Sequence, residues 1–315
     1  RDEPDRRDIA YIEDGNILRL DTNDILNQRF FSDLGDFNHD MGVDVETKRR
    51  WFGDVESRIK GGLAGVFKTR NVEARRFTYK GSLSAPSARL GPGEIFNQDT
   101  IGTGSGQVVL DEVTLDDDSY FARQVIAGAY AMTELAFSER LKLLVGSRFE
   151  FGRQSVETFR SPRINDQVNS SANLNTFDVL PALTLSWEVL DDVILRAAAS
   201  RTVARPNFRA LSPAVFRDLQ GTIEYQGNPE LNRTVLTSGD IRAEWYPTPG
   251  ESLSASLFYK HFTDPVEQRI ESGSRNRFIP INIPSAQNFG AEHALRKNFG
   301  FAADAQESLY VDSNL

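Results

Sequence analysis

The sequence contains no cysteine, which excludes a disulfide framework and any thiolate-ligated metal. Histidine is nearly as scarce: His39, His261 and His293 are the three present, too far apart to form a ligand motif. Basic side chains are in the minority, 36 against 45 acidic, and the net charge of -9 has the wrong sign for a nucleic-acid-binding surface. No stretch approaches the roughly 18 consecutive apolar residues of a membrane-spanning helix. The opening segment from Arg1 to Asp8 is polar without an apolar core, so no signal peptide is legible there. The expectation is a processed chain or, preferably, a piece of a longer one. A Gly-x-Ser-x-Gly elbow, an HExxH helix and a Walker loop are all missing. Ser256, His261 and Asp264 lie close together, but strand alternation sends Ser256 and His261 to opposite faces. No enzyme, metal site or other cofactor is therefore expected.

What is present is aromatic and alternating. Aromatics make up 10% of the chain, with 21 phenylalanines, although hydrophobic residues total only 39%. That balance suits a sheet with one apolar wall and one wet wall. From Leu141 to Gly152 the apolar Leu141, Leu143, Val145, Phe149 and Phe151 take odd positions, while Lys142, Arg148 and Glu150 take even ones. A helix would scatter those charges; a strand separates them with period two. The same test succeeds for Val179–Trp187, Ile241–Trp245, Leu253–Tyr259 and Ile59–Phe67. Each segment has about ten residues, enough to cross a bilayer when tilted. Pro181 is the local objection, because it removes a ladder donor.

The connections alternate in length. Short turns are expected around Gly53–Glu56, Phe137–Arg140, Val189–Asp192, Pro247–Gly250 and Gly300–Glu307. Long loops are expected around Arg70–Ser119, Arg153–Thr176, Thr202–Thr234 and Thr263–Asn288. All short turns then fall at one end of the sheet and all long loops at the other, the pattern of bacterial outer-membrane barrels. Trp187, Trp245 and Tyr246 sit beside short turns, where a periplasmic aromatic girdle belongs. Counting further strands near Asp8–Leu20 and His39–Trp51 gives about eleven in all. Single-chain bacterial barrels have an even number, and Leu309–Leu315 reads as a strand cut short. The fold class expected is all-β: an antiparallel transmembrane β-barrel, present in part, in the outer membrane.

Several phrases carry a family resemblance. They are Arg201-Thr202-Val203-Ala204-Arg205-Pro206-Asn207-Phe208, Leu211-Ser212-Pro213, Gly227-Asn228-Pro229-Glu230-Leu231, Glu244-Trp245-Tyr246-Pro247 and Phe258-Tyr259-Lys260. Gly290-Ala291-Glu292 and Leu295-Arg296-Lys297 continue the series, and Tyr120–Glu150 fits more loosely. Together they resemble the TonB-dependent outer-membrane receptors. The resemblance implies a barrel of about 22 strands closed by an N-terminal plug. Residues 1–315 would then form a partial barrel domain lacking the plug and the last strands. It also implies import of a scarce nutrient, a carbohydrate or a ferric siderophore, energised by the TonB complex acting on the plug region. The partners expected are that complex, the small-molecule nutrient and membrane lipid, with no nucleic acid. A passive channel or adhesin-like surface barrel without a plug is the alternative.

The loop Thr202–Thr234 is the preferred substrate-facing segment. It holds Arg205, Asn207, Phe208, Arg209, Arg217, Tyr225, Gln226 and Asn228. Aromatic planes and amides suit sugars, whereas guanidinium groups suit anionic siderophores, so composition leaves both open. The competing reading is that these residues pack the loop on its neighbours, with Arg201, Arg205 and Pro206 forming a structural corner. The acidic run Asp116-Asp117-Asp118, with Asp111 and Glu112 before it, reads as a solvated loop or a Ca²⁺ site. Arg148, Glu150, Arg242 and Glu244 face the lumen, where paired charges on a wet wall are the ordinary expectation.

Overall fold

A computed structural model describes residues 6–14, 17–20, 27–51, 55–81, 83, 87–91, 94–161, 168–217, 223–273, 276–299 and 309–314. Ten strands form a wall. They are β1 (Gln28–Trp51), β2 (Val55–Gly81), β3 (Ser119–Ala136), β4 (Leu141–Phe159) and β5 (Ser170–Leu190). They continue as β6 (Val193–Ala204), β7 (Thr234–Trp245), β8 (Ser252–Thr263), β9 (Ser285–Phe299) and β10 (Leu309–Asn314). Each pairs antiparallel with the next, giving an up-and-down meander. Among the described residues β1 and β10 do not pair with each other, so the sheet is open. No helix among the described residues is long and apolar enough to cross a membrane; the crossing elements are strands.

Register fixes which side chains share a face. One row runs Val43–Leu63–Ala129–Phe149–Val179 across β1 to β5. Another runs Leu143–Leu185–Ala197–Ile241–Leu257–Ala291 across β4 to β9. The face they share is apolar yet exposed, with Leu63, Phe177 and Phe289 at 66%, 63% and 75%. In water such a surface would drive aggregation, whereas lipid is its natural solvent. The opposite face carries Asp44, Lys60, Tyr130, Arg148, Glu150, Asp178, Arg196, Arg242 and Glu244. The chain is thus built as the wall of a transmembrane barrel, apolar outside and charged toward the lumen. The outward apolar run of β4 from Leu141 to Phe151 climbs about 26 Å at about 3.4 Å per residue and a tilt near 40°, matching the apolar band of about 25 Å that such barrels present.

The connections divide as the sequence predicts. The wall strands are joined at one end by 52–54, 137–140, 191–192, 246–251 and 300–308, and at the other by 82–118, 160–169, 205–233 and 264–284. The first and last of the short connections lie outside the described residues. Gly250 takes a φ of 85° in its turn, a conformation that admits little but glycine. Trp245 donates its indole N–H to Asp192 at 2.8 Å beside the next turn, with Trp187 and Tyr246 exposed at the same end. That is amphipathic anchoring at a membrane interface.

Three expectations need correction. The loops expected at 70–119 and 153–176 are shorter, because β2, β4 and β5 stay paired above the apolar band and carry residues 70–81, 153–159 and 170–176. Asp8–Leu20 is no wall strand. It divides into a strand at Arg6–Asp8 on the edge of β1 and a separate hairpin of Tyr11–Asp14 with Ile17–Leu20. Among the described residues the wall therefore has ten strands rather than about eleven. Pro181 is tolerated because the β5–β6 ladder ends at Ala182–Ser200, one residue short of it.

Candidate functional site: an inward-folded loop and its charged anchor

Above the apolar band the faces exchange character. Val72, Tyr120, Ala122, Val156 and Ala172 all point to the lumen side, and all are buried. What covers them is the loop 205–233. Asn207, in extended backbone geometry, accepts the Ala210 N–H at 2.8 Å and starts a one-turn helix, α1 (Phe208–Leu211). Phe208 and Leu211 insert into the apolar cluster together with Leu231. Lys68 and Arg70 lie 5.8 Å from the Phe208 ring centroid, so the ring is capped by cations as well as packed. The loop then returns through Gly227. A Cβ there would stand 2.0 Å from the Ser212 carbonyl oxygen and 2.6 Å from that of Arg209, so only glycine passes. Asn228 donates its backbone N–H to Ala210 at 2.6 Å and closes the fold.

Charges lock this loop to the wall. Glu150 on β4 and Asp178 on β5 are direct register partners, and two opposed carboxylates would repel. Arg205 resolves the conflict by forking, with Nη1 to Glu150 at 2.9 Å and Nη2 to Asp178 at 3.0 Å. Arg148 pairs with the free Glu150 oxygen at 2.6 Å, and Arg233 from the far end of the loop takes the second Asp178 oxygen. Asp178 is 3% exposed and Arg205 11%, so solvent screens these pairs little. Gln154 donates to the Pro206 carbonyl at 2.7 Å, and Gln124 donates to Gln154 at 3.3 Å. Farther up, Arg76 bridges Asp118 at 2.7 Å and also donates to the Val215 carbonyl.

The loop 205–233 also joins the loop 264–284. Strands Val215–Arg217, Ile223–Gln226, Asn276–Asn282 and Val266–Glu271 form a small mixed sheet in the order 215–217, 223–226, 276–282, 266–271. Tyr225 stacks on Phe278 with centroids 5.5 Å apart. On the other face Arg277 bonds Glu224 at 3.0 Å and Gln226 at 3.2 Å. Asn228 donates its side-chain amide to the Pro280 carbonyl at 3.1 Å. Asn282 ties the base of both loops, donating to the Asn232 carbonyl at 3.2 Å and also to that of Asp264.

The eight residues singled out in the sequence thus fall into three groups. Arg205, Asn207 and Phe208 hold the loop in place, by ion pair, helix cap and packing. Tyr225, Gln226 and Asn228 are half-buried in the two-loop sheet. Arg209 is exposed on α1. Arg217 pairs through its backbone with Glu224, and its side chain lies outside the described residues. The acidic run is occupied by protein partners: Asp118 by Arg76, and Asp117 by the Thr158 hydroxyl, while the Asp116 carbonyl accepts from Asn169. Glu112, in the outer loop, is gripped by Arg75 at 3.1 and 2.7 Å and by the Thr114 hydroxyl at 2.8 Å. These bonds hold its carboxyl down to about 2. Sequence reading missed Asp178 and Arg233 as members of the anchor. The available signal was the exchange of apolar parity between Phe151 and Val156.

Several solved structures share this architecture. The ferric citrate transporter FecA superimposes with a TM-score of 0.55 at 12% identity, over 91% of this chain and 34% of FecA. The copper transporter OprC gives 0.52 at 15% identity, over 88% of this chain and 37% of OprC. The alcaligin receptor FauA from Bordetella pertussis gives 0.49 at 12%, over 91% and 40%. The chain therefore spans about a third of the length of FecA. No curated protein matches it in sequence. The family model for the TonB dependent receptor-like β-barrel matches residues 4–314. A wall with a lipid-facing side, a charged lumen and one-sided long loops, together with that match, makes the chain a member of the TonB-dependent receptor β-barrel family of the bacterial outer membrane.

Proposed function

We propose that the chain forms part of the wall and mouth of an importer. It would take up a scarce small-molecule nutrient, a carbohydrate or a ferric siderophore, with energy delivered by the TonB complex to a plug region outside this sequence. The observation that carries the reading is the loop 205–233 docked on the lumen side of the wall by Phe208 and by Arg205. A mouth narrowed by a charge-anchored loop suits selective capture. Two structures of similar fold are described as ferric citrate and copper transporters, which supports an imported metal complex. In this reading Arg205, Asn207 and Phe208 fix the loop. Arg209, Arg217, Tyr225, Gln226 and Asn228 supply the guanidinium, aromatic and amide groups that meet the nutrient.

The test is uptake by cells carrying the intact receptor, screened against labelled ferric siderophores and oligosaccharides. Uptake of one of them that stops on collapse of the proton gradient, and on loss of TonB, supports the proposal. Uptake that survives both treatments sinks it in favour of a passive channel.

A further inference from the structure

The small mixed sheet above the mouth leaves one edge open. Its strand order runs 215–217, 223–226, 276–282, 266–271, so Val266–Glu271 is paired on one side only. Every residue of that strand is exposed. Pro280 has no N–H to give and stands opposite Gln268, and the Ile283 N–H donates to the Pro265 carbonyl at 3.0 Å. Glu267, Arg269 and Glu271 therefore make the backbone bonds to 276–282, while Val266, Gln268 and Ile270 turn their N–H and C=O groups to the free side. Among the described residues nothing takes those groups. The opposite edge is blunted: Val215–Arg217 is three residues long, and the Val215 carbonyl accepts from Arg76.

Natural edge strands are protected by proline, lysine, a bulge or shortness. This one, Val-Glu-Gln-Arg-Ile-Glu, has no proline, lysine or glycine and no break in its register. Its sequence is instead complementary to itself. A two-fold axis at Gln268 brings Val266 opposite Ile270, Glu267 opposite Arg269, and Gln268 opposite Gln268 of a second copy. The free groups of Val266, Gln268 and Ile270 match in that same register, because bonded pairs in an antiparallel ladder fall on alternate residues. Among the described residues Glu267 forms no salt bridge. Arg269, paired with Glu271 at 2.8 Å, is still 54% exposed and can meet a second carboxylate. On the other face the row Tyr225–Phe278–Ile270 runs to the edge, where Val266 of a second copy extends it. An edge built for any extended peptide has no need of this symmetry.

We propose that Val266–Glu271 is a self-association edge, through which two copies of the receptor join their loops as an antiparallel ribbon. In one bilayer the two-fold axis stands along the membrane normal, with both strands lying across it. One strand pair is a small contact by the standard of roughly 1,000 Å² for a stable interface. It therefore holds where the membrane confines both copies and lapses on dilution in detergent. Such pairing is independent of what passes through the lumen.

The test is disulfide trapping with copper phenanthroline in isolated outer membranes that carry the intact receptor. This chain supplies no cysteine, and any cysteine elsewhere in the receptor is replaced by serine. Gln268→Cys sets a thiol on each side of the axis, with Cα atoms about 5.5 Å apart and in disulfide range. Val266→Cys, equally open to solvent, sets them about 14 Å apart. The expected result is covalent dimer for Q268C and monomer for V266C. E267K in the Q268C background should slow trapping roughly tenfold, and adding R269E should restore most of the rate. Hydrogen–deuterium exchange gives a second readout. The Val266 and Ile270 amides should be protected in packed membranes and free after dilution in detergent. Q268P removes a free N–H without touching the ladder to 276–282, so it should free both amides in membranes and leave Arg269 protected. Heat-modifiable gel mobility confirms that each variant is folded. Absence of dimer with Q268C overturns the proposal. So does equal trapping of V266C, which would mark random collision. Protection of Val266 and Ile270 that survives dilution also overturns it, because another loop of the same receptor would then cover the edge.

Discussion

Removing the Asp178 carboxylate should release the loop 205–233 while leaving the wall intact. Asp178 is 3% exposed and holds two guanidinium groups, Arg205 at 3.0 Å and Arg233 at the second oxygen. In D178A, Arg205 keeps Glu150, but Arg233 loses the carboxylate that ties the far end of the loop. Breaking a buried pair costs about 3–5 kcal/mol, and the 22% exposure of Arg233 places this case at the lower end. A loss of about 3 kcal/mol shifts the docked-to-free equilibrium of the loop by about two orders of magnitude. The wall should not feel it, because β4 and β5 remain paired from Leu141–Trp187 to Thr158–Ser170. Hydrogen–deuterium exchange on the intact receptor reads both effects. The amides of Ser212 and Asn228, bonded within the loop to Phe208 and Ala210, should lose about a hundredfold protection, with β4 and β5 unchanged. R205K should give an intermediate loss, because an ammonium cannot fork to both carboxylates. Loop protection within threefold of wild type in D178A would refute the reasoning. Equal loss in the strands would refute it too, by showing the cluster to be part of the wall rather than a clasp.

Other outcomes follow from the same geometry. F208A should cost about 3–5 kcal/mol of docking and free the loop backbone beside the exposed Arg209 for cleavage by trypsin; unchanged cleavage would contradict the packing. The Glu112 carboxyl is depressed from 4.5 to about 2. Its contribution is therefore complete above about pH 4.5 and lost as pH falls toward 2. Exchange at residues 108–112, corrected for intrinsic rates, should rise across that window in wild type, and E112Q should show no such step. L257R, on the lipid face, should destabilise the receptor in bilayers by about 2–4 kcal/mol, whereas S256R, on the lumen face, should be nearly neutral. Equal costs in urea titrations would mean that the faces are assigned the wrong way round.

The membrane-crossing part of the wall was legible because lipid and lumen impose opposite chemistry on alternate residues. Leu141, Leu143, Val145, Phe149 and Phe151 against Lys142, Arg148 and Glu150 settle the strand and its faces without any coordinates. Above Phe151 that rule lapses. Arg153, Ser155 and Glu157 face out, and Val156 faces in under α1, so a strand in continuous pairing reads as a polar loop. The anchor was half legible. Arg205 and Phe208 stood out by type, but their partners on β4 and β5 are 27 and more residues away. Only register brings Glu150 and Asp178 face to face and creates the need for a cation between them. The residues at 8–20 misled because short alternating pieces resemble a strand whether or not they pair into the wall.

The lumen face has one more property, set by its glycines. Gly62, Gly128, Gly152 and Gly290 all point inward, and a long side chain crosses each: Tyr130, Arg148, Arg205 and Phe258, in that order. A methyl group at any of these positions would lie 2.7–2.8 Å from the side chain above it. The large residues therefore recline against bare backbone like tiles instead of standing up into the channel. Adding a single methyl at Gly128 would push the Arg148 guanidinium off the wall and disturb its pair with Glu150, so the anchor of the loop depends on a position where the sequence carries no side chain.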